Sequence, residues 1–212
     1  MDTIIEFIIG PYRSVGTLQI LIEFIAFICG ILSVWYAKKA DILVYPTGLI
    51  GTALTVYLLY QAEYFGDMMM NVYYSLMSIY GWYQWTRLKG TLPKYKISRT
   101  DTRDRYVGFA FFLITVGVTY GVYRGFDYDM QWYSYVDTVT SGIFFTAMWY
   151  MANKKIEHWT LWIIGDVITV PLYAYRGLGM LSLQYLIFTL IAIYGYRSWK
   201  KTLDKTPPKS SG

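Results

Sequence analysis

Residues 18–37 read LQILIEFIAFICGILSVWYA, twenty positions with a single charge, Glu23. At about 1.5 Å of rise per residue a helix of this length matches the roughly 30 Å hydrocarbon core of a bilayer. Six further stretches have the same character: 42–61, 68–86, 106–123, 133–152, 159–175 and 179–196. Of the 33 charged residues in the 212-residue chain, only Glu23, Asp137 and Asp166 fall inside the seven. Buried helices of a soluble protein would each show a polar stripe with a period of 3.6 residues. These show little beyond Ser, Thr, Tyr and Gly. The pattern predicts an all-α integral membrane protein with seven transmembrane helices. Residues 3–12 (TIIEFIIGPY) are too short to span and read as a short interfacial helix. The segment from Thr202 is polar, carries Pro207 and Pro208, and reads as a mobile tail.

Composition supports this class. The chain is 55% apolar, 20% aromatic and 16% charged, against about 25% charged for an average soluble domain. A disordered chain would be poor in aromatics. One cysteine, Cys29, excludes an intrachain disulfide framework, and one histidine, His158, excludes a histidine metal cluster. No metal or cofactor motif is present. GxGxxG, the P-loop, GxSxG and HExxH are all missing, so a membrane enzyme or a non-transporting scaffold is the weaker functional class.

The basic residues set the orientation. Arg13, Arg124 and Arg176 lie on the N-terminal side of the seven stretches, and the other 16 of the 19 Lys and Arg lie on the opposite side. The positive-inside rule then places the N-terminus outside and the C-terminus in the cytoplasm. Seven of these basic residues lie in 87–105. They read as an orienting cytoplasmic loop, not as a nucleic-acid patch. Trp82, Trp85, Trp132, Trp159 and Trp199 stand near span ends, where an aromatic belt is expected.

An offset of 114 residues aligns the two halves without gaps. Glu23 meets Asp137, Trp35-Tyr36 meets Trp149-Tyr150, Ile79-Tyr80-Gly81 meets Ile193-Tyr194-Gly195, and Trp85 meets Trp199. The match runs from 23–85 to 137–199, three spans each, with the fourth between them. An odd linker span returns the chain to its starting side, so the expected architecture is a parallel 3+1+3 repeat. Its expected parts are an N-terminal interfacial segment (1–17), a first three-helix bundle (18–86), a basic loop with linker helix (87–132), a second three-helix bundle (133–199) and a cytoplasmic tail (200–212). Transporters of this design hold substrate between the halves near the midplane.

The intramembrane polar groups indicate what such a site could hold. All three intramembrane charges are acidic. A phosphate would want a cation or a helix N-terminus. A cation would want carboxylates and aromatic faces. The candidate binding residues are Glu23, Asp137, Thr140, Trp162, Asp166, Gln184, Tyr185, Asn71, Tyr74 and Ser75. Asn71 and Ser75 are four apart, as are Trp162 and Asp166, so each pair shares a helix face. An amide such as Asn71 or Gln184 both gives and accepts hydrogen bonds, as a carboxamide or ribose requires. The competing reading for each group is structural: hydrogen bonding between helices, snorkelling of the acids, or packing of the indole. Pro171, inside the sixth stretch, removes one backbone donor and loosens a turn.

Several strings carry a family resemblance. They are Asp67-x-x-x-Asn71, the Tyr80-Gly81-Trp82-Tyr83-Gln84-Trp85 run, and Glu157-x-Trp159-x-x-Trp162-x-x-x-Asp166. Tyr173-x-Tyr175-Arg176-Gly177-Leu178 and Tyr194-Gly195-x-x-x-Trp199 follow. On these the chain, over about 18–200, resembles the PnuC family of bacterial nicotinamide riboside transporters. The resemblance implies a doubled three-helix fold like that of SWEET sugar transporters. It also implies a homotrimer in the bacterial inner membrane, and facilitated diffusion made one-way by phosphorylation in the cytoplasm. A SWEET-like sugar carrier or another vitamin or nucleoside carrier is the alternative. Nicotinamide riboside itself bears a pyridinium cation, a carboxamide and ribose hydroxyls, which acids, amides and aromatics suit.

Overall fold

The computed structural model describes residues 16–61, 65–89, 92–93, 96–125, 130–177 and 179–205. The expected interfacial helix at 3–12 and the end of the expected tail lie outside them. Seven helices are described: α1 (Thr17–Lys38), α2 (Val44–Gln61), α3 (Phe65–Thr86), α4 (Thr102–Gly125), α5 (Trp132–Ala152), α6 (Glu157–Tyr175) and α7 (Gly179–Asp204). Each of the seven apolar stretches falls on one of them. The all-helical expectation meets one small departure. Leu88–Lys89 (β1) and Leu92–Pro93 (β2) pair antiparallel, with Leu88 opposite Pro93.

Length and composition make three of the helices apolar enough to cross a membrane: α1, α4 and α7, with mean hydropathy 2.2, 1.6 and 1.4. The other four mix their aliphatic residues with Tyr, Trp, Thr and Gly, whose polar atoms or small side chains lower mean hydropathy.

Helix ends follow local chemistry. α4 starts four residues before its apolar stretch because Asp101 and Asp104 cap it reciprocally. The Asp104 amide donates to Asp101 Oδ1 at 2.7 Å, and the Asp101 amide to Asp104 Oδ2 at 3.0 Å. α7 continues to Asp204, eight residues past the apolar stretch, so the first residues of the expected mobile tail are helical. Lys201 in its last turn favours the negative end of the helix dipole.

α1 packs on α2 and α2 on α3, while α5 packs on α6 and α6 on α7. The two triplets meet where α1 touches α7 and α3 touches α5, and α4 lies against α5. The α1–α2 and α5–α6 turns are alike in backbone. Ala40 and Lys154, 114 positions apart, both take left-handed conformations (φ 54° and 53°). The Asp41 amide donates to Tyr36 O at 3.0 Å, and the equivalent Lys155 amide to Tyr150 O at 2.9 Å. A non-glycine residue at such φ costs on the order of 1 kcal/mol. Both turns offset it by satisfying helix-end carbonyls that have no partner within the helix.

The tightest core lies at the end of the bundle where these turns sit. Ala37, Tyr45, Trp85, Met151, Trp159 and Trp199 meet there. Tyr45 stands edge-on to Trp85 with centroids 5.0 Å apart, and Trp159 edge-on to Trp199 at 5.8 Å. Gly81 and Gly195 lack the Cβ that would strike the Tyr45 and Trp159 rings. This corrects the belt expectation for three tryptophans. Trp85, Trp159 and Trp199 are 7%, 1% and 1% exposed and fill the space between helices. Trp82 and Trp132 are exposed at span ends, as a belt requires.

The segment before α4 is also more tied than the loop expected there. The Ser98 amide donates to Lys154 O at 3.0 Å, and the Ile156 amide to Ser98 O at 2.9 Å. The Thr100 amide reaches Glu157 Oε2 at 2.9 Å, and Lys155 Nζ pairs with Asp104 Oδ2 at 2.7 Å. The 96–101 strand thus straps α4 to the α5–α6 turn.

Candidate functional site

α6 carries the centre of the site. Its Asp166 is 1% exposed, and among the described residues neither carboxyl oxygen has a hydrogen-bond partner. The Thr169 hydroxyl, one turn on, is likewise buried without a partner among them, as are Tyr45 OH, His158 Nε2 and Trp159 Nε1 in the basic-end core. Each such group is costly to bury, and of these only Asp166 is a carboxylic acid. One turn before Asp166, Trp162 stacks on Phe144 of α5 (5.2 Å between centroids, 28° between planes) and faces Tyr74 of α3 at 6.3 Å. Phe144 also meets Tyr185 of α7 at 5.9 Å, and Tyr185 meets Tyr173 at 5.3 Å. Gly165 permits this wall, because a Cβ there would strike the Phe144 ring.

The structure therefore brings three of the residues expected in the site into one aromatic cluster, Tyr74, Trp162 and Tyr185, while Asp166 lies buried one turn along α6 from Trp162. The other six have these placements. The Ser75 hydroxyl bonds the Thr52 hydroxyl of α2 at 2.8 Å and its own helix at Asn71 O at 3.0 Å. Asn71 is half-buried on the same face of α3. Gln184 turns its amide toward α1, where Nε2 lies 3.1 Å from the place a Cβ would take on Gly30. The buried Thr140 hydroxyl bonds carbonyls of its own helix, Val136 and Asp137, both at 3.1 Å. Glu23 is half-buried on α1. Asp137 pairs with Arg176 at 3.0 Å, toward the end of the bundle opposite the tryptophan core, and that guanidinium also lies over Tyr133. At the basic end, burial pulls the Lys154 ammonium below its ordinary value, with Nζ 4.2 Å from the Trp85 ring centre.

Sequence reading missed Phe144, Phe145 and Tyr73. Tyr73 stacks on Phe145 at 3.4 Å and its hydroxyl donates to Phe145 O at 3.3 Å, joining α3 to α5. The available signal was the aromatic pair Phe144-Phe145 within a helix whose neighbour carries a glycine, Gly165. Among the described residues no group of three His, Cys, Asp or Glu could hold a metal. What the arrangement offers is a cluster of tilted aromatic rings and, one turn along α6, a buried carboxyl group, a pairing of the kind that suits a ring bearing positive charge.

A helical bundle with three helices long and apolar enough to cross a membrane has the character of an integral membrane protein. The family described as nicotinamide mononucleotide transporter matches residues 20–201. The chain belongs to that family, and is a multi-pass transporter of the bacterial inner membrane rather than an enzyme. It is 28% identical over 201 residues to the nicotinamide riboside transporter PnuC of Escherichia coli, covering 84% of each chain. It is 25% identical over 131 residues to the riboflavin/roseoflavin transporter RibM of Streptomyces davaonensis, covering 58% of each. The crystal structure of the vitamin B3 transporter PnuC superposes with a TM-score of 0.70 at 23% identity, covering 96% of this chain and 91% of that one. That likeness extends the fold correspondence to nearly the whole chain.

Proposed function

We propose that this protein imports nicotinamide riboside by passive alternating access, with substrate held between two parallel three-helix halves and trapped by phosphorylation in the cytoplasm. The carrying observation is Asp166: a carboxylate buried in the bundle, without a hydrogen-bond partner among the described residues, one turn from an indole face. The pyridinium ring stacks on Trp162 and its charge is met by Asp166, while Asn71 and Gln184 address the carboxamide and ribose. The halves are 18–86 and 133–199, the basic segment and linker helix are 87–132, and all seven helices span the bilayer with the N-terminus outside. The matched turns at Ala40 and Lys154 and the matched packing of α1–α3 and α5–α7 support this 3+1+3 reading. A homotrimer, as the resemblance implies, would use apolar surface such as that of α4, where Phe109, Leu113, Ile114 and Val118 are exposed. Glu23, Asp137 and Thr140 line the approach to the site.

Asp166→Asn is expected to keep the fold, since the amide is isosteric, and to weaken nicotinamide riboside binding by about 1–2 kcal/mol, the size of a hydrogen bond to a charged group. Calorimetric titration in detergent reads this, and unchanged affinity would leave Asp166 a structural acid. Counterflow in proteoliposomes tests the transport reading. Labelled riboside should exchange faster with unlabelled riboside on the far side, and neither a proton nor a sodium gradient should concentrate it without a kinase.

A second reading is transport of another flat vitamin. The named substrate of the Streptomyces relative, a tricyclic isoalloxazine, would use the same aromatic wall. Competition by riboflavin in the counterflow assay separates the two.

A further inference from the structure

Trp85 closes α3, and its indole Nε1–H donates to Met151 O at 3.3 Å and Ala152 O at 3.2 Å, the last carbonyls of α5. Trp199, near the end of α7, donates to Ala37 O of α1 at 3.0 Å. Both donor and acceptor pairs are separated by 114 positions: Trp85 with Trp199, and Ala37 with Met151. Each half thus ends in an indole that reaches into the other half and takes a carbonyl of its first helix. The two rings also meet across the boundary, with centroids 6.4 Å apart.

We propose that this reciprocal tryptophan clasp is the gate at the basic end of the bundle, and that its rupture is the step that opens the site to the cytoplasm. The assignment rests on the two-half, positive-inside reading above. The physical case concerns where the bonds lie. The last carbonyls of a helix have no partner within it. In the closed state Ala37 O and Met151 O accept from the turn amides of Ala40 and Lys154 and take the indoles as second donors across the boundary. In the open state they face the cytoplasmic surface, where water replaces the lost donors. Opening also separates the apolar contacts that Ala37, Tyr45 and Trp85 share with Met151, Trp159 and Trp199, but at this end of the bundle the freed polar groups meet water rather than hydrocarbon. Within each half the edge-on pairs Tyr45–Trp85 and Trp159–Trp199 hold the indoles to their own bundle, so each moves as part of a rigid body.

The test uses Trp85→Phe and Trp199→Phe, which delete the N–H and keep an aromatic ring. Cys29→Ser removes the native thiol, and Met77→Cys places a reporter on α3 where Met77 packs against the core shared by the two halves, between Tyr74 and Trp85 along the helix. An impermeant maleimide is applied to the basic face of oriented vesicles. Each single variant is expected to speed alkylation about fivefold, and the double variant about twenty-five-fold, the loss of one and two ordinary hydrogen bonds. Unchanged rates in folded variants overturn the proposal. Should the variants fail to fold, spin labels at Lys39→Cys and Lys200→Cys on otherwise unaltered halves decide it. The expected result is two distances whose populations shift with nicotinamide riboside or with membrane reconstitution, and one invariant distance overturns the clasp as a gate. If nicotinamide riboside does not bind the wild-type protein, the substrate reading falls while the alkylation rates still judge the clasp.

Discussion

Nicotinamide riboside is expected to bind about a hundredfold or more tighter than its 5′-monophosphate, although the family takes its description from the mononucleotide. A phosphate monoester brings about −1.5 to −2 charges at neutral pH. It would have to shed most of its hydration in a bundle whose spans contain Glu23, Asp137 and Asp166 but neither Lys nor Arg. The nearest cation to this set, Arg176, is already committed to Asp137 at 3.0 Å. The measurement is a pair of calorimetric titrations on one preparation. Equal affinities would refute the assignment of Asp166 to the pyridinium and require a cation in the site that the present reading does not contain.

The largest effect on stability is expected at Trp159. Truncation to alanine should cost about 3–5 kcal/mol, the range for deleting a fully buried large aromatic. Trp159 is 1% exposed and lies flat against Gly195, where no side chain can move in to fill the void. Trp132→Ala, removing an indole that is 54% exposed, should cost far less in the same detergent. Thermal unfolding monitored for both variants reads the difference, and similar midpoints would mean that the basic-end core does not hold the bundle together.

Much of this arrangement was legible before any coordinates. Charge exclusion located all seven helices, because a charge inside hydrocarbon is penalised so strongly that the apolar stretches stand out whatever their tertiary setting. Asp166 and Trp162 were legible as partners because helical geometry alone puts positions four apart on one face. Asp137 resembled Asp166 in sequence, an acid within an apolar stretch, and the two differ in the fold. Arg176 comes to Asp137 from the turn beyond α6, 39 positions away, while among the described residues none hydrogen-bonds the Asp166 carboxyl. Trp85, Trp159 and Trp199 had the spacing of interfacial residues, since span ends and helix-bundle ends coincide in a chain of this length. Which of them faces lipid is set by the neighbouring helix.

The sequence by itself determined the class of protein and the course of the seven described helices, because hydropathy and charge exclusion are properties of order along the chain. Only the tertiary structure decided which polar groups are used up and which are left open, and that each half borrows the other's carbonyls at the basic end. Hydrogen bonds between Trp85 and Met151, or Trp199 and Ala37, join residues 66 and 162 positions apart. No local preference encodes them. They exist because packing the two helix triplets side by side brings the indoles at the ends of α3 and α7 against helix-end carbonyls that accept a second donor beside their turn amides.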